Sequence, residues 1–393
     1  MSPPATEAAR PPRRVPELGA LADSYDLDLD TVVARLKTWP KPVRFVGLQF
    51  PDGFRDYAHA IAQRLEREVG LPMVVSADPT FGACDVALKL DRLKVDVLVH
   101  FGHTEMPSVT PGYTLPVIFV AARHKAPVGP VTVKAAHALA AKIGPLPGPP
   151  RKLRIGLLTT AQHGHKLGDA WDALAAAGFE PVVGKGDNRV LAPGQLLGCN
   201  FTAASVVEAD VDGFVYVGSG DFHPIAVGFG ATKPVVLADP YTGEVRTIDA
   251  VMDRLLRQRF AAIEAAKGAR TFAVLVGTHV GQERLKLALG LKRMLEAQGK
   301  EATLVALEYF SPENLQYFRH LDCWVNTGCP RITIDDAERT GADGRRYAVP
   351  MLTPQELEVV LGKRTWEEYA FDEFKGTKPA PRGDAARARR DEI

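Results

Sequence analysis

One pattern recurs three times along this chain: an apolar run is followed by a glycine-containing turn and an amphipathic helix. The runs are VRFVGLQF (43–50), LRIGLLTT (153–160) and TFAVLVGT (271–278). Apolar runs without polar alternation are typical of strands that are buried on both faces of a parallel sheet. The repetition therefore predicts an α/β fold of three related Rossmann-like units, with parallel sheets arranged around a central site.

The composition between these units predicts where the domains begin and end. Prolines crowd the first 16 residues and the segment PLPGPPRK (145–152), where neither a helix nor a central strand can continue. Ser24 to Trp39 shows helical spacing of apolar residues, and the chain turns to Lys, Arg, Pro, Gly and Asp from Lys375. We predict an N-terminal tail and helix (1–40), three α/β domains (41–148, 149–268 and 269–374) and a disordered tail (375–393).

Three apolar segments end in glycine-containing loops and mark the predicted centre. They read VDVLVHFGH (95–103), VDGFVYVGSG (211–220) and LDCWVNTGC (321–329). Ligands of α/β proteins bind at the carboxyl ends of the strands. Three such ends that point inward would form one site.

Three of the four cysteines lie in short loops. Cys84, Cys199 and Cys329 each follow a glycine or a Gly-Ala pair, whereas Cys323 lies within a predicted strand and is expected to be a core thiol. Cysteine thiolates bind zinc and iron–sulfur clusters, but no C-x2-4-C pair is present. The spacing leaves open whether the three loop cysteines share a metal centre or are unrelated thiols. With three protein ligands, a 4Fe-4S cluster would keep one iron open.

The cysteine loops are not placed identically in the three repeats. Cys84 and Cys199 precede the segments quoted above, whereas Cys329 follows the equivalent segment. Two units therefore use one loop and the third uses another.

Two glycine loops are candidates for binding an anion. Gly218, Ser219 and Gly220 end a predicted strand, and Gly281 and Gln282 precede a predicted helix. Backbone N–H groups at a helix start attract carboxylates and phosphates, although both loops also fit ordinary turns.

Three side chains near these loops are further candidates. Arg331 is placed to clamp a carboxylate or to form a surface salt bridge. His103 and His223, each just past a strand end, fit ligand binding, proton transfer or simple loop hydrogen bonding.

The overall composition excludes several classes of partner. Lys+Arg 48 against Asp+Glu 47 gives a net charge of +1, so no strong field favours nucleic acid or an anionic membrane. No apolar run approaches the length of a membrane helix, and the N-terminus lacks the apolar core of a secretory signal. Four cysteines in so long a chain do not form a disulfide framework. We expect a cytoplasmic protein without direct nucleic-acid binding.

Five motifs, taken in order, resemble one known family. GACDVA, GCNF, GSGDFHP, GQERLKLALG and NTGCPRITIDD are similar to the archaeal diphthamide synthases, over about Val43 to Gly362. Phe81 stands where the family often has tyrosine, and Gly328 where it often has alanine.

The resemblance implies a transferase for the first step of diphthamide biosynthesis. In that family three α/β domains each give one cysteine to a 4Fe-4S cluster; by motif these are Cys84, Cys199 and Cys329. S-adenosylmethionine binds the open iron, and the reduced cluster cleaves a C–S bond to release a 3-amino-3-carboxypropyl radical and methylthioadenosine. The radical adds to a histidine of translation elongation factor 2. The resemblance also implies a homodimer and an external electron donor.

Eight residues are expected to contact S-adenosylmethionine. They are Gly218, Ser219, Gly220, His223, Gly281, Gln282, Arg284 and Arg331.

Two alternatives remain at this stage. One is a 4Fe-4S dehydratase and condensing enzyme similar to quinolinate synthase, which also has three α/β domains with one cysteine each. The other is a non-enzymatic scaffold that binds structural zinc.

Overall fold

The computed structural model describes residues 18–335, 349–373 and 381–393. The predicted tail before residue 18 and the first part of the predicted C-terminal tail, 375–380, lie outside these ranges. Where one helix was expected from Ser24 to Trp39, the chain forms α1 (Leu18–Ser24), β1 (Tyr25–Asp26) and α2 (Leu29–Lys37). The interruption has a local cause: Asp28 adopts a left-handed φ of 49°, and its N–H donates to Asp26 Oδ1 at 2.9 Å.

The first unit contains a four-stranded parallel sheet in the order β3-β2-β4-β5. Its elements are β2 (Val46–Gln49), α3 (Ala58–Val69), β3 (Met73–Val75), β4 (Val97–Phe101), β5 (Val117–Val120) and β6 (Arg123–His124). Apolar side chains of α1, α2 and α3 cover the sheet. Strand β6 leaves the sheet and pairs antiparallel with β1.

The second unit follows the same plan with one more strand after β10. Its elements are α4 (Gly129–Ile143), β7 (Arg154–Thr159), α5 (Leu167–Ala176), β8 (Glu180–Gly184), α6 (Thr202–Ser205), β9 (Gly213–Val217), α7 (Phe222–Gly230), β10 (Val235–Ala238) and β11 (Val245–Thr247). The strands run in the order β11-β10-β9-β7-β8, with β11 antiparallel to β10.

The third unit has a parallel sheet in the order β13-β12-β14-β15. Its elements are α8 (Asp249–Ala266), β12 (Thr271–Gly277), α9 (Leu285–Glu296), β13 (Glu301–Leu307), α10 (Pro312–Leu315), β14 (Cys323–Asn326), α11 (Pro330–Ile334), β15 (Met351–Leu352) and α12 (Pro354–Val360). Short 3-10 helices connect many of the elements: Asp52–Tyr57, Leu88–Leu93, Thr110–Gly112, Gly164–Lys166, Glu208–Asp210, Gln316–Phe318, Trp366–Glu368, Gly383–Ala386 and Arg390–Glu392.

All three sheets share one strand order, which confirms the predicted α/β fold of related units. In each unit the second strand lies beside the first, which is followed by the third and fourth strands, and these four strands are parallel. The loops that follow parallel strands emerge at the same edge of a sheet. The three cysteine loops are loops of this kind, after β3, β8 and β14.

The end of the chain corrects the prediction of a disordered tail. Within 381–393, β16 (Arg387–Ala388) pairs antiparallel with β8 and becomes the sixth strand of the second sheet. Ala386 and Ala388 are buried, and Arg390 Nη2 lies 2.6 Å from Asp172 Oδ2. The alanines are buried at the edge of the sheet, and the arginine pairs with a carboxylate outside it. A segment with the composition of a solvated tail therefore forms ordered structure here.

Two helices that precede the predicted domain boundaries at 148 and 268 pack against the sheet of the unit that follows. Val131, Ala135 and Leu139 of α4 pack against the core of the second sheet, although the prediction placed this helix in the first domain. The end of α8, at Ile263, similarly packs into the core of the third sheet. A helix joins the sheet that its apolar face covers, and here that sheet follows the helix in sequence.

No helix within the described ranges is both long and apolar enough to cross a membrane.

Candidate functional site

The carboxyl-edge loops of the three units contact one another. Gln162 Nε2 of the second unit donates to the carbonyl oxygen of Gly102 in the first at 2.6 Å. Lys89 of the first unit lies 2.9 Å from Glu308 of the third. These bonds hold loops of the second and third units against loops of the first.

The three loop cysteines share a partly buried environment, and two of them affect the charge state of the third. Cys84, Cys199 and Cys329 are half-buried free thiols. Burial raises the pKa of Cys84 well above its usual value, and negative charge on Cys329 and then on Cys199 raises it further. This repulsion indicates that Cys84 lies near Cys329 and Cys199, whose loops belong to the other two units.

Cys323 has a different environment, as predicted. It is fully buried in β14 opposite Phe272 of β12, within the apolar core of the third unit. Burial raises the pKa of this thiol strongly.

The loop after β12 lies directly against Cys84. A Cβ atom added to Gly281 would lie 2.5 Å from both Cα and Cβ of Cys84, so only glycine fits there. Gln282, which is 5% exposed, donates from Nε2 to Cys84 Sγ at 3.5 Å. This hydrogen bond favours the thiolate and lowers the pKa of Cys84 against the larger effect of burial.

A buried ionic network holds the Cys199 loop. Arg189 forms a forked pair with Asp187, with Nη2 to Oδ2 at 2.7 Å, and its Nη1 donates to the Cys199 carbonyl at 3.4 Å. Asn200 donates to Asp187 Oδ1 at 2.9 Å. Burial raises the pKa of Cys199, and the Arg189 charge partly offsets that rise.

The Cys329 loop is fixed by Asn326 and Arg284. Asn326 Nδ2 donates to the Cys329 carbonyl at 2.8 Å, and Arg284 Nε donates to the Thr327 carbonyl at 2.7 Å. The rest of the Arg284 guanidinium pairs with Asp372 at 2.9 and 2.5 Å. The predicted cofactor contact at Arg284 does not fit this arrangement, because its donors hold the loop instead.

Arg331 lies at the start of α11 and is 2% exposed. One amine of its guanidinium pairs with Asp335, while Nε and Nη1 are buried without a hydrogen-bond partner among the described residues. The guanidinium centre lies 4.4 Å from the Phe222 ring of the second unit. Two unpaired donors of a buried cation make a site for an anion.

His223 lies beside Arg331. Burial lowers the pKa of His223 to about 3, with smaller contributions from Arg331 and His103. The His223 ring stacks on Tyr216 at a centroid distance of 6.3 Å. The histidine is therefore neutral, with an aromatic ring on one side and a cation nearby.

The loop at 218–220 connects β9 to α7. Gly218 donates from its N–H to Ala238 at 3.0 Å, and a Cβ there would lie 2.6 Å from the Tyr216 hydroxyl. Ser219 and Gly220 are exposed, and Gly220 adopts a left-handed φ of 68°. The exposed part of this loop is open to an approaching molecule.

Comparison with known proteins decides the family. The model of the diphthamide synthesis protein family matches residues 50–370. This chain belongs to the diphthamide synthesis family. The 2-(3-amino-3-carboxypropyl)histidine synthase of Pyrococcus horikoshii is 36% identical over 330 residues, which are 84% of this chain and 88% of that protein. Subunit 1 of the human synthase is 28% identical, over 95% of this chain and 81% of its own length.

A solved structure supports the same relationship for this member of the diphthamide synthesis family. The crystal structure of Dph2 from Pyrococcus horikoshii with a 4Fe-4S cluster superposes with a TM-score of 0.78 and 31% identity. The match covers 93% of this chain and 98% of that chain. The expected family and fold are thus confirmed.

The three loop thiols of this family member have the donor chemistry of iron–sulfur cluster ligands. Within the described ranges, no three His, Cys, Asp or Glu side chains are grouped to hold one ion. Each cysteine of a cubane cluster binds a different iron, so its ligands stand further apart than those of one zinc ion. Three nearby thiols on three separate loops suit the wider arrangement.

Sequence reasoning missed the residues that hold these loops. Gln49 donates from Nε2 to the Asp85 carbonyl at 2.8 Å and accepts from the Ala87 N–H at 3.0 Å, which fixes the Cys84 loop. The sequence signal for this role was the position of Gln49 as a polar residue inside the apolar run VGLQF. For the Cys199 loop, the signal was the charge pair of Asp187 and Arg189 just before the cysteine.

Proposed function

We propose that this chain catalyses the first step of diphthamide biosynthesis. It transfers the 3-amino-3-carboxypropyl group of S-adenosylmethionine to a histidine of translation elongation factor 2. The observation that carries the proposal is the family match over residues 50–370, together with one half-buried cysteine from each of three related units. Membership of this family also argues against the quinolinate-synthase-like and zinc-scaffold alternatives.

Cys84, Cys199 and Cys329 are the proposed ligands of a 4Fe-4S cluster. When bound and reduced, such a cluster supplies the electron that cleaves a C–S bond of S-adenosylmethionine. The chain's own contribution is to bring three thiols together and to favour their thiolates. Gln282 does this for Cys84 by hydrogen bonding, and Arg189 does it for Cys199 by its charge.

Arg331 is the proposed partner of the cofactor carboxylate. Its Nε and Nη1 are buried and without partners among the described residues, and a carboxylate would satisfy both. His223 lies beside it and provides a neutral polar ring. Gly218, Ser219 and Gly220, with Gly281, remain proposed cofactor contacts through their backbone, while Gln282 acts chiefly on Cys84.

The protein substrate is proposed to dock at the rim beside Cys84. Phe81, three positions before Cys84, is 61% exposed, and Val280, next to Gly281, is 44% exposed. A histidine that enters the site must bring its neighbouring residues across this rim, and exposed apolar side chains are suited to such a contact.

A homodimer, an external electron donor and a cytoplasmic location complete the proposal. The described residues carry four free cysteines and no disulfide, which suits a reducing compartment. Sedimentation of the reconstituted protein tests the dimer.

Anaerobic reconstitution tests the function. We expect a brown protein with about four iron atoms, which releases methylthioadenosine on reduction with dithionite and modifies elongation factor 2. Cys84→Ser, Cys199→Ser and Cys329→Ser should each lose colour and product, whereas the control Cys323→Ser should keep both. A colourless wild-type protein that binds zinc stoichiometrically would contradict the proposal.

A further inference from the structure

A chain of buried hydrogen bonds runs from β2 to the carboxyl edge of β4. It links Gln49, His100 and His103, and neither histidine is part of the cysteine loops. His100 is fully buried, whereas His103 is half-buried just past the end of β4. The bonds of this chain determine which ring nitrogens carry hydrogen.

The orientation of the Gln49 amide is fixed by its partners. Nε2 lies 2.8 Å from the Asp85 carbonyl, which only accepts, and Oε1 lies 3.0 Å from the Ala87 N–H, which only donates. Oε1 also lies 2.8 Å from His100 Nδ1. Because an amide oxygen only accepts, His100 Nδ1 carries the hydrogen.

The tautomer of His103 follows from that of His100. Burial lowers the pKa of His100 well below its usual value, so the ring is neutral and its Nε2 bears a lone pair. His100 Nε2 lies 2.9 Å from His103 Nδ1, which must therefore donate. Burial lowers the pKa of His103 to about 4, so this ring is also neutral and Nε2 is its proton-accepting atom.

His103 lies at the carboxyl edge of the first sheet, among the loops where the units meet. The residues on either side of it contact the second unit: the Gly102 carbonyl accepts from Gln162 at 2.6 Å, and the Thr104 hydroxyl accepts from Gln195 at 2.6 Å. Gln49, at the other end of this series of hydrogen bonds, holds the Cys84 loop through Asp85 and Ala87. One set of hydrogen bonds therefore fixes both a cysteine loop and a histidine with a free lone pair.

The proposed reaction needs such a proton acceptor. The transferred carbon leaves the sulfonium sulfur, which becomes a neutral thioether, and bonds to C2 of the substrate imidazole. The electron that breaks the C–S bond is given back when the radical adduct on C2 is oxidised, so the overall reaction is redox-neutral, and the hydrogen on C2 leaves as a proton. Resting on the proposed function, we propose that His103 is a catalytic residue whose Nε2 takes this C2 proton, with Gln49 and His100 as positioning residues.

The substitution His103→Asn separates this role from folding. The asparagine amide can still donate toward His100 Nε2 but has no group at the position of the imidazole Nε2. We expect iron content and methylthioadenosine release to stay within about twofold of wild type. Modification of elongation factor 2 should fall by about 10²- to 10⁴-fold, the usual contribution of a general base. The matched control is His137→Asn, on the exposed surface of α4.

Deuterium at C2 of the substrate histidine distinguishes proton transfer from positioning. If His103 takes the proton, deuteration should slow product formation by His103→Asn and leave methylthioadenosine release unchanged. The proposal would be overturned if His103→Asn modified the deuterated and undeuterated substrates at equal rates. It would also be overturned if this variant still formed one modified histidine for each methylthioadenosine released. A wild-type protein that releases no methylthioadenosine would instead overturn the proposed function, and the role of His103 with it.

A measurement without activity keeps the inference testable if the variant loses its cluster. Nitrogen-15 chemical shifts of the full-length protein with labelled histidine should show Nδ1–H tautomers for His100 and His103. An Nε2–H tautomer at His103 would overturn the proposal, because that atom would then have no lone pair to accept a proton.

Discussion

Gln282 donates a hydrogen bond to Cys84 Sγ at 3.5 Å, although 198 positions of sequence separate the two residues. Gln282 follows the first strand of the third unit, and Cys84 lies in the first unit. The environment of this thiol is therefore made by two units together. An isolated first unit would contain the cysteine without the donor that favours its thiolate.

Removing that donor should weaken cluster binding. We expect Gln282→Leu to lower the affinity of the site for its cluster by about 10- to 100-fold, the usual effect of removing a residue that supports a ligand. Loss of the visible absorbance during titration with an iron chelator measures this. Gln298→Leu is the control, because Gln298 donates to the distant Leu361 carbonyl at 3.1 Å. If both variants kept their clusters equally well, the hydrogen bond to Cys84 would have no role in cluster binding.

Gly281 provides a steric test of the same contact. In Gly281→Ala the new methyl group would lie 2.5 Å from backbone and Cβ atoms of Cys84, which cannot rotate away. We expect this strain to cost about 1–3 kcal/mol of unfolding free energy and to displace the Cys84 loop, with loss of cluster binding.

Gly290→Ala is the matched control for Gly281→Ala. Gly290 lies in α9, and a Cβ there would meet no atom within 4 Å. Alanine should therefore stabilise the helix by about 1 kcal/mol and leave the iron content unchanged. Urea unfolding and iron analysis of both variants check the pair, and iron retention by Gly281→Ala would contradict the steric argument.

The sequence predicted the framework of the site well because local patterns encode it. Buried parallel strands need continuous apolar runs, and a loop that exposes a thiol needs small neighbours, as at Gly198-Cys199 and Gly328-Cys329. Both requirements appear within a few consecutive residues. The parallel sheets and the loop positions of the three cysteines were predicted from them.

The partners of individual side chains could not be predicted in this way. Arg284 looked like a cofactor contact, but Asp372, 88 positions away, occupies much of its guanidinium. Similarly, β16 has the composition of a disordered tail, and only the free edge of β8 makes it a strand. Long-range pairing decides such cases, and no local pattern records it.

A buried ion pair supports the Cys329 loop and gives the next prediction. Arg259 of α8 forms a forked pair with Glu356 of α12 at 2.8 and 2.7 Å, and both side chains are almost fully buried. Arg259 Nη1 also donates to the Thr333 carbonyl at 3.0 Å, in the helix after Cys329. Arg259→Met should cost about 3–5 kcal/mol, because it leaves a buried carboxylate without its cation.

The control for this prediction is an exposed pair on the same helix. Arg257 pairs with Asp253 one turn earlier, with the Arg257 side chain 73% exposed. Arg257→Met should change the unfolding free energy by less than about 1 kcal/mol. Chemical denaturation of both variants measures the two changes in unfolding free energy. Similar losses in both would show that burial of the ion pair does not determine the loss of stability.

The buried imidazole of His163 makes the free energy of unfolding depend on pH. It is 2% exposed, and neither ring nitrogen has a hydrogen-bond partner among the described residues. Burial, with smaller contributions from the nearby His124 and His165, lowers the pKa of His163 to about 3. An unfolded histidine has a pKa of about 6.5, so between these values the unfolded chain binds one more proton than the folded chain.

This difference in bound protons determines the direction in which the free energy of unfolding changes with pH. The contribution of His163 to stability is complete above pH 6.5 and is lost as the pH falls toward 3, at about 1.4 kcal/mol per pH unit. His163→Phe keeps a ring against Tyr241, whose centroid lies 5.4 Å away, but cannot bind the proton. We therefore expect the free energy of unfolding of His163→Phe, measured in urea at steps between pH 4 and pH 6, to fall less steeply than that of wild type by about this slope. Parallel curves for the two proteins would mean that His163 binds its proton equally well in the folded and the unfolded chain.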